Sequence, residues 1–326
     1  MIESTAVAQR LIGVDVGGTK VSIATLSGGA LSEPHLQPTD LTSADGLIDQ
    51  LVVGIHLAEG EGEIAAVGVG VPSVIDWATG TVRSSVNIPL QDIPLRERLR
   101  ERLGGVPVFV DNDASMAALA EAHEPDGSVI QNLVMFTIGT GVGGGIVIDG
   151  RIYRGVTGAA PELGHMIIAA QESAEGDGRF AHDERFPQPG SLESLASGRA
   201  LDRLARARGF ESGVEVVQAA NVGDERAVGA VAILGHRLGL GIANAINLFD
   251  PEVVAIGGGV SDAGDLLLEP ALQTAQRFTL PGVGTRTHVR VARSGPRAGV
   301  HGAALLAGQE LLLGERPRTT IQETTG

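Results

Sequence analysis

The sequence of 326 residues contains no cysteine and a single lysine, Lys20. Without cysteine, the chain has no disulfide framework, no thiolate zinc site and no cysteine nucleophile. Its 24 Lys and Arg stand against 39 Asp and Glu, a net charge of −15, and the basic residues form no cluster. Because binding to nucleic acid requires a basic face, we expect no nucleic-acid partner. The same charge argues against an anionic membrane surface as a partner.

A long uninterrupted hydrophobic run is also lacking. The most apolar stretch, from Val228 to Phe249, is broken by His236, Arg237 and two asparagines. It therefore predicts a buried helix and not a membrane span. The first ten residues have neither the basic region nor the apolar region of a secretory signal. We expect a cytoplasmic protein.

What the chain does contain is typical of a folded protein. Apolar residues make up 43% and charged residues 19%, which is the composition of a globular chain, and the length suits about two domains. Glycine is abundant, at 47 residues. It concentrates at the ends of apolar, strand-like runs, where it permits tight turns and close approach of the backbone to a ligand.

Two glycine turns join pairs of predicted strands. In the segment 11–26, two β-branched runs flank Gly17 and Gly18, which predicts a β-hairpin. The pattern returns at 133–148, where the glycine-rich segment 139–145 separates two apolar runs. The equivalent positions Gly17 and Gly139 are 122 residues apart. Two such units suggest an internal duplication.

The remaining patterns alternate strands with helices. Strands are predicted at 64–71, 106–110, 253–256 and 287–292, and helices at 44–59, 94–103, 114–121, within 191–249, at 266–277 and at 302–313. This alternation implies an α/β fold. The two hairpins add antiparallel pairs, so the sheets are expected to be mixed.

The glycine turns match neither of two common nucleotide motifs. The segment 139–144 has the spacing of the dinucleotide fingerprint, but a strand follows where a helix must open. The segment 13–20 has Thr and Lys in the wrong order for a Walker A loop. What remains is a set of backbone N–H groups and threonine hydroxyls, and such concave arrays bind phosphate. Asp15 could hold water on a Mg²⁺ ion that bridges the phosphates. The alternative is that both turns are ordinary hairpins.

Polar residues in three further segments are candidates for chemistry. Asp113 follows a predicted strand and precedes a helix, which also suits a simple N-cap, and Asp111 is an equal candidate for a functional carboxylate. Glu162 and His165 form a second polar cluster with Glu193. The hydrophilic segment 171–190 has the charge pattern of a solvated loop.

Six segments, in this order, resemble the ROK family of sugar kinases and sugar-responsive repressors, within the actin/hexokinase superfamily of ATPases. The resemblance extends from Leu11 to about Ala307. It is carried by GVDVGGTK (13–20), VDNDASMAALAE (110–121), IGTGVGGGIVIDG (138–150), ELGH (162–165), SLESLASG (191–198) and NAINLFDPEVVAIGGG (244–259). Together these segments are highly specific, whereas each alone is weak.

The resemblance implies a two-lobed, ribonuclease H-like fold with the active site in the cleft between the lobes. The smaller lobe is expected to comprise 1–118 plus 300–326, and the larger lobe 119–299. Asp113 matches the catalytic base of the family. The expected contacts to the sugar are Asn87, Asn112, Asp113, Glu162, His165 and Glu193.

The resemblance also implies ATP and Mg²⁺ as cofactors. The expected ATP-binding residues are Asp15, Gly17, Gly18, Thr19, Lys20, Thr137, Gly139, Thr140, Gly141, Gly143, Gly257, Gly258 and Gly259. Asp15 is the expected Mg²⁺ residue, through water. Lys20 is not expected to be the essential phosphate clamp, because no Walker A geometry directs it inward.

The chain departs from the family at two places. Members usually carry a structural zinc held by a histidine matching His165 and by three cysteines before the segment matching Leu192 and Glu193. All three cysteines are absent, so we expect no structural zinc and assign the order of the 171–190 loop to packing of Phe180 and Phe186 and to the stiff Pro187 and Pro189. At position 115, serine stands where the family often has asparagine.

The resemblance implies ATP-dependent phosphorylation of a hexose. The reaction expected first is the conversion of glucose to glucose 6-phosphate. The alternatives are an N-acetylmannosamine, N-acetylglucosamine or fructose kinase and, from another class, a non-enzymatic sugar-responsive regulator. That regulator class carries a DNA-binding segment of several dozen residues, whereas only about ten residues precede the first predicted strand here. We expect a homodimer or homotetramer.

Overall fold

The computed structural model describes residues 10–59, 62–85, 87–170, 180 and 182–314. These residues form two compact units, one of residues 10–116 with 299–314 and one of residues 117–298. We refer to them as the first unit and the second unit. The first unit is therefore discontinuous in sequence, and the second is continuous.

The elements alternate along the chain as an α/β protein requires. The strands are β1 (Arg10–Val16), β2 (Lys20–Ser27), β3 (Ala30–Leu31), β4 (His35–Pro38), β5 (Ile64–Val71), β6 (Ser73–Asp76), β7 (Thr81–Ser85), β8 (Val108–Asn112), β9 (Leu133–Ile138), β10 (Val142–Ile148), β11 (Arg151–Ile152), β12 (Val253–Gly257) and β13 (His288–Val291). The helices are α1 (Ala44–Glu59), α2 (Leu95–Arg102), α3 (Asp113–Ala122), α4 (Leu192–Ala196), α5 (Gly198–Arg206), α6 (Gly213–Asn221), α7 (Glu225–Phe249), α8 (Asp265–Phe278) and α9 (Ala298–Gly314).

Each unit is built on a mixed sheet, and the two sheets share one topology. The order is β3-β2-β1-β5-β8 in the first unit, with β4 also on β2, and β11-β10-β9-β12-β13 in the second. In each sheet the hairpin is antiparallel and the next two strands are parallel to its first strand. Both predicted glycine hairpins are therefore confirmed. The repeated topology is the one that an internal duplication produces.

The core of the first unit lies between its sheet and the helices that cover it. The inward side chains of β1, Ile12, Val14 and Val16, are fully buried. On α1, apolar residues at helical spacing, Leu47 and Leu51 among them, are buried too. Helix α9 lies directly on the sheet, since a Cβ atom on Gly68 would stand only 1.8 Å from the carbonyl oxygen of Ala303. Only glycine permits that approach.

The core of the second unit contains the long helix α7. It is the one described helix that is long and apolar enough to cross a membrane, with a window of mean hydropathy 1.3, but 61% of that window is buried inside the protein. Leu234, Leu238 and Ile242 on its inner face are at most 1% exposed. This is the pattern of a core helix, as the sequence predicted.

Several element bounds differ from the sequence prediction by one to four residues. The strand predicted at 106–110 is β8, Val108–Asn112, because Asp111 and Asn112 pair with Gly70 and Val71 of β5 despite their polarity. Helix α3 consequently begins at Asp113. Helix α9 begins four residues before the predicted 302. The hairpin of β6 and β7 was not predicted, because its polar strands lack an apolar alternation.

Candidate active site

The first glycine turn, residues 17–19, joins β1 to β2. Gly17 donates its N–H to the carbonyl of Lys20 at 2.8 Å, and its own carbonyl accepts from the Thr39 hydroxyl at 2.7 Å. Within the described residues, the N–H groups of Gly18 and Thr19 have no acceptor. Free N–H groups in an exposed turn are suited to an anion such as a phosphate group.

Asp15 lies on β1, two residues before this turn. It pairs in register with Gly70 of β5, and a Cβ on Gly299 of α9 would lie 2.5 Å from its carboxyl carbon. Burial and, to a lesser extent, the carboxylate of Asp113 raise the pKa of Asp15 to about 6, and the charge of Lys20 opposes the rise. The side chain is thus a half-buried acid within electrostatic reach of a second acid, an arrangement that a cation would stabilise.

Lys20 is the first residue of β2 and is exposed. Its charge acts on the carboxylate of Asp15, although the structure gives it no ion pair among the described residues. The role of Lys20 stays a prediction.

Asp113 is the first residue of α3. The N-cap role suggested for it is performed largely by Asn112. The side-chain oxygen of Asn112 accepts the N–H of Ala114 at 2.9 Å and that of Ser115 at 3.3 Å. Asp113 shares only the first of these donors. Burial raises the pKa of Asp113 above that of an ordinary aspartate. Its carboxylate is not needed to cap the helix, and its raised basicity suits a proton acceptor.

Asp111, the other candidate acid, is 2% exposed and accepts the N–H of Asn112 at 2.8 Å. It is therefore held inside the first unit. Asn87 follows β7 and is exposed, and a Cβ on Gly18 would lie 3.1 Å from its Cβ. Asn87 consequently lies against the first glycine turn, and the first unit brings the turn, Asp15 and Asp113 to one end of its parallel strands.

The second glycine turn, residues 139–141, joins β9 to β10. Gly139 donates its N–H to the carbonyl of Gly141 at 3.0 Å, and its own carbonyl accepts the N–H of Gly198 at 2.7 Å. Thr137, before the turn, pairs with Gly143 on one side and Gly257 on the other. The expected phosphate residues and the first glycine of the 257–259 segment are thus neighbours in one sheet.

A cavity of about 500 Å³ opens beside this turn. Gly139, Thr140 and Gly259 form one part of its wall. The rest comes from residues that the sequence analysis did not identify: Gly198, Arg199, Leu201, Asp202, Gly213, Val214, Val217, Gln218, Asn221, Val260 and Asp262. A mainly apolar pocket with a few polar groups, joined to a glycine turn, suits a nucleoside. Gly198 and Gly213, at which α5 and α6 begin, are the sequence feature that could have indicated this cavity.

Glu162, His165 and Glu193 come together in the second unit. The Oε2 atom of Glu162 lies 3.9 Å from Nε2 of His165. Burial raises the pKa of Glu162, the charge of His165 opposes that rise, and the charge of Glu193 adds to it. The Oε2 atom of Glu193 also accepts a hydrogen bond from the N–H of Val142, at 2.8 Å. One carboxylate therefore belongs both to this cluster and to the second glycine turn.

The packing predicted for the 171–190 loop is wrong for its two phenylalanines. Residues 171–179 and 181 lie outside the described part of the chain, but Phe180 and Phe186 are 63% and 72% exposed. Phe186 makes only an edge contact with the ring of His165, at 5.4 Å between centroids. The described part of the loop is ordered instead by polar bonds, in which Gln188 exchanges hydrogen bonds with the backbone of Asp183 at 2.9 and 2.6 Å.

The residues present do not complete the zinc site of the family. The Nδ1 atom of His165 is buried and has no partner among the described residues. However, no three His, Asp or Glu side chains in the described part of the chain are grouped as a metal site requires. No thiolate exists in the chain to supply the usual ligands.

The residues do fit a magnesium nucleotide. Mg²⁺ prefers carboxylate and water oxygens, and Asp15 offers a half-buried carboxylate whose pKa is raised to about 6 by burial and by the carboxylate of Asp113. In the second unit, the glycine turn at residues 139–141 and the 500 Å³ cavity beside it offer surfaces for phosphates and a nucleoside.

Known proteins resemble this chain over nearly its whole length. The model of the ROK family matches residues 11–310. A glucokinase from Halalkalibacterium halodurans is 34% identical over 324 residues, covering 92% of this chain and 95% of the relative. An N-acetyl-D-glucosamine kinase from Pasteurella multocida is 31% identical over 302 residues, with 90% and 98% covered.

Solved structures agree with this assignment. The ROK hexokinase of Thermus thermophilus has a TM-score of 0.79 at 35% identity, covering 93% of this chain and 99% of the other. A ROK family glucokinase from Streptomyces griseus, solved with glucose and AMPPNP, has a TM-score of 0.73 at 32% identity, with 92% and 99% covered. The expected actin/hexokinase-like fold is confirmed.

Proposed function

This chain belongs to the ROK family and is a sugar kinase, and we propose that it transfers the γ-phosphoryl group of ATP to O6 of glucose. The products are glucose 6-phosphate and ADP. The proposal is carried by one observation: Asp113, half-buried and with a raised pKa, lies close enough to Asp15 for their charges to interact, beside a turn with open N–H groups. Similarity to two glucokinases, one solved with glucose and AMPPNP, supports the choice of sugar and donor.

Asp113 acts as the general base. As O6 of the sugar attacks the γ-phosphorus, the O6–P bond forms and the bond from phosphorus to the β,γ-bridging oxygen breaks. The O6 proton passes to the Asp113 carboxylate, and ADP leaves with the bridging oxygen. Because phosphoryl transfer proceeds through a loose transition state, the proton moves late and a modest base is sufficient.

The donor phosphates are held by backbone N–H groups of the two glycine turns. When bound, Mg²⁺ supplies positive charge to the β- and γ-phosphates, and Asp15 is the residue that would hold it through water. The adenosine occupies the cavity bounded by Thr140, Val214 and Gly259. Donors fixed in this way stabilise the charge that develops in the transition state at no cost in reorganisation.

The residues that bind the sugar hydroxyls are Asn87, Asn112, Glu162, His165 and Glu193. Amide, imidazole and carboxylate groups suit a polyol, since each hydroxyl needs a directed partner. A second candidate substrate is N-acetylglucosamine, which the 31% identity to the Pasteurella multocida kinase favours. N-acetylmannosamine and fructose remain further alternatives within the same reaction.

A coupled assay with ATP, Mg²⁺ and a panel of hexoses tests the proposal. Glucose is expected to give the largest kcat/KM, with phosphate at O6 of the product by ³¹P NMR. A higher kcat/KM for N-acetylglucosamine would select the second candidate. Hydrolysis of ATP with no phosphorylated sugar from any member of the panel would refute the proposal.

A further inference from the structure

The second glycine turn is held in place by a side chain expected to bind the sugar. Glu193 lies on α4, and its Oε2 accepts the N–H of Val142, the residue that follows the turn, at 2.8 Å. The two residues are 51 positions apart in sequence. We propose that Glu193 is a positioning residue that fixes the phosphate-binding turn and so couples sugar binding to nucleotide binding. The coupling to the sugar rests on the proposed function.

The fit between Glu193 and the turn is close. A Cβ on Gly141 would lie 2.4 Å from Oε2 of Glu193 and 3.0 Å from its carboxyl carbon. The carboxylate thus occupies the space that any other side chain at position 141 would need. The turn is held on its other side by α5, where Gly198 and Arg199 donate N–H groups to the carbonyls of Gly139 and Thr140 at 2.7 and 3.4 Å.

The two oxygens of Glu193 have different surroundings. Oε2 is committed to the turn, whereas Oε1 has no hydrogen-bond partner among the described residues. The charge of Glu193 raises the pKa of Glu162, so the carboxylate also lies within electrostatic reach of the cluster that contains His165. A sugar hydroxyl that donates to Oε1 would restrict the rotation of the same carboxylate that holds Val142.

This arrangement makes the coupling reciprocal. A sugar that orders Glu193 orders the turn, and a nucleotide on the turn orders Glu193, so each ligand raises the affinity for the other by the same factor. We expect glucose to raise the affinity for a nonhydrolysable ATP analogue about tenfold, which is within the usual range for coupled sites.

Three substitutions test the proposal. Glu193→Ala removes the hydrogen bond to Val142 and the expected contact to the sugar, and Gly141→Ala leaves the carboxylate but displaces it from the turn. Both are expected to weaken binding of the analogue without sugar about tenfold, the effect of one lost hydrogen bond to a charged group, and to abolish the coupling. Glu162→Gln is expected to raise KM for the sugar and to leave binding of the analogue without sugar unchanged.

The measurement is calorimetric titration of the analogue with Mg²⁺, with and without glucose, alongside KM and kcat for both substrates. Glu269→Ala on the exposed face of α8 and Gly229→Ala on α7, where an added Cβ meets nothing within 4 Å, are the matched controls. Thermal unfolding checks that each variant folds. If Glu193→Ala unfolds, Glu193→Gln replaces it and is expected to show a smaller loss of the same kind, since the amide oxygen is a weaker acceptor.

The proposal is overturned if Glu193→Ala and Gly141→Ala bind the analogue as tightly as the wild type and keep its response to glucose. An effect of Glu193→Ala on KM for the sugar alone would equally overturn it. Because the titration without sugar does not depend on turnover, it tests the positioning of the turn even if no sugar in the panel is phosphorylated.

Discussion

The side-chain oxygen of Asn112 lies 2.9 Å from the backbone nitrogen of Ala114 and caps the helix that begins with Asp113. The carboxylate of Asp113 is therefore available for chemistry. Asp113→Asn is expected to reduce kcat about a thousandfold, within the range for a lost general base, and to leave the melting temperature nearly unchanged. Asp149→Asn is the matched control, since asparagine also tolerates the left-handed backbone of Asp149, at φ 52°. More than about a tenth of wild-type turnover in Asp113→Asn would place the base elsewhere.

Asp15 should make the protein less stable as the pH rises. Its folded pKa of about 6 lies above the ordinary value of 3.8, so the folded state binds more protons between these values and stability falls across that window. Above pH 6 the penalty corresponds to about 3 kcal/mol. Asp15→Asn should therefore raise the melting temperature at pH 8, have a much smaller effect at pH 4, and lower activity. Equal effects at both pH values would contradict this.

Magnesium should act through the same residue. In wild-type protein, Mg²⁺ with the ATP analogue is expected to raise the melting temperature by more than the analogue alone, because the cation offsets the buried charge of Asp15. In Asp15→Asn that additional increase should be lost. A magnesium response that survives the substitution would show that another group holds the cation.

Glu121 should be the most costly buried carboxylate to remove. It is 2% exposed and accepts hydrogen bonds from Arg290 and from the N–H groups of Arg293 and Ser294. Burial favours the protonated form, but these bonds prevail and lower its pKa below the ordinary 4.5. Glu121→Ala should cost about 3–5 kcal/mol of unfolding free energy, as for a broken buried ion pair.

The control for this variant is Glu124→Ala, which removes a more exposed partner of Arg290 and Arg293 and should cost about 1 kcal/mol or less. Because the pKa of Glu121 is lowered on folding, its contribution is present above pH 4.5 and is lost as the pH falls through the folded pKa. Denaturant unfolding at pH 7 and pH 3.5 measures both. Equal costs for the two variants would show that Glu121 is no more important than a surface charge.

Lys20→Ala should raise KM for ATP less than about tenfold, the effect of one exposed phosphate contact. The backbone N–H groups of the first glycine turn remain in the variant and provide most of the phosphate binding. Steady-state kinetics with varied ATP provides the check. A rise of about a hundredfold, near 2.7 kcal/mol, would make Lys20 the main phosphate clamp.

The purified protein should contain zinc at well below one atom per chain. Of the usual ligands, the site has His165 but no thiolate. Elemental analysis after dialysis against a chelator, with the melting temperature measured before and after, tests this. Near-stoichiometric zinc whose removal unfolds the protein would show that His165 has found other partners.

Local sequence patterns predicted much of the fold, because they arise from local physics. Helix α1 has the predicted bounds, 44–59, since its apolar residues recur at helical spacing. Both glycine hairpins follow from β-branched runs around a turn. The sequence does not show whether Asn112 or Asp113 caps α3, because both residue types suit an N-cap. The pairing of β8 with β5 decides where the helix begins.

Tertiary placement could not be derived from spacing. The contact of Glu193 with the turn at Gly141 joins residues about 50 positions apart, and no local rule relates them. Much of the wall of the 500 Å³ cavity comes from α5 and α6, whose sequences resemble ordinary amphipathic helices. The sequence predicts apolar packing for the loop before Gly190, because phenylalanine is usually buried. The described part of the loop is instead ordered by hydrogen bonds of Gln188.

The discontinuity of the first unit imposes an order of events during synthesis. Strand β1 is made before the whole of the second unit, yet α9, which packs against the same sheet without intervening side chains at Gly68, is made after residue 297. The second unit is continuous and complete once residue 298 has left the ribosome, so it can fold first. The sheet that carries Asp15 has to wait for α9, with an apolar face uncovered while the second unit is made. That interval is when the chain is most exposed to aggregation and to chaperones.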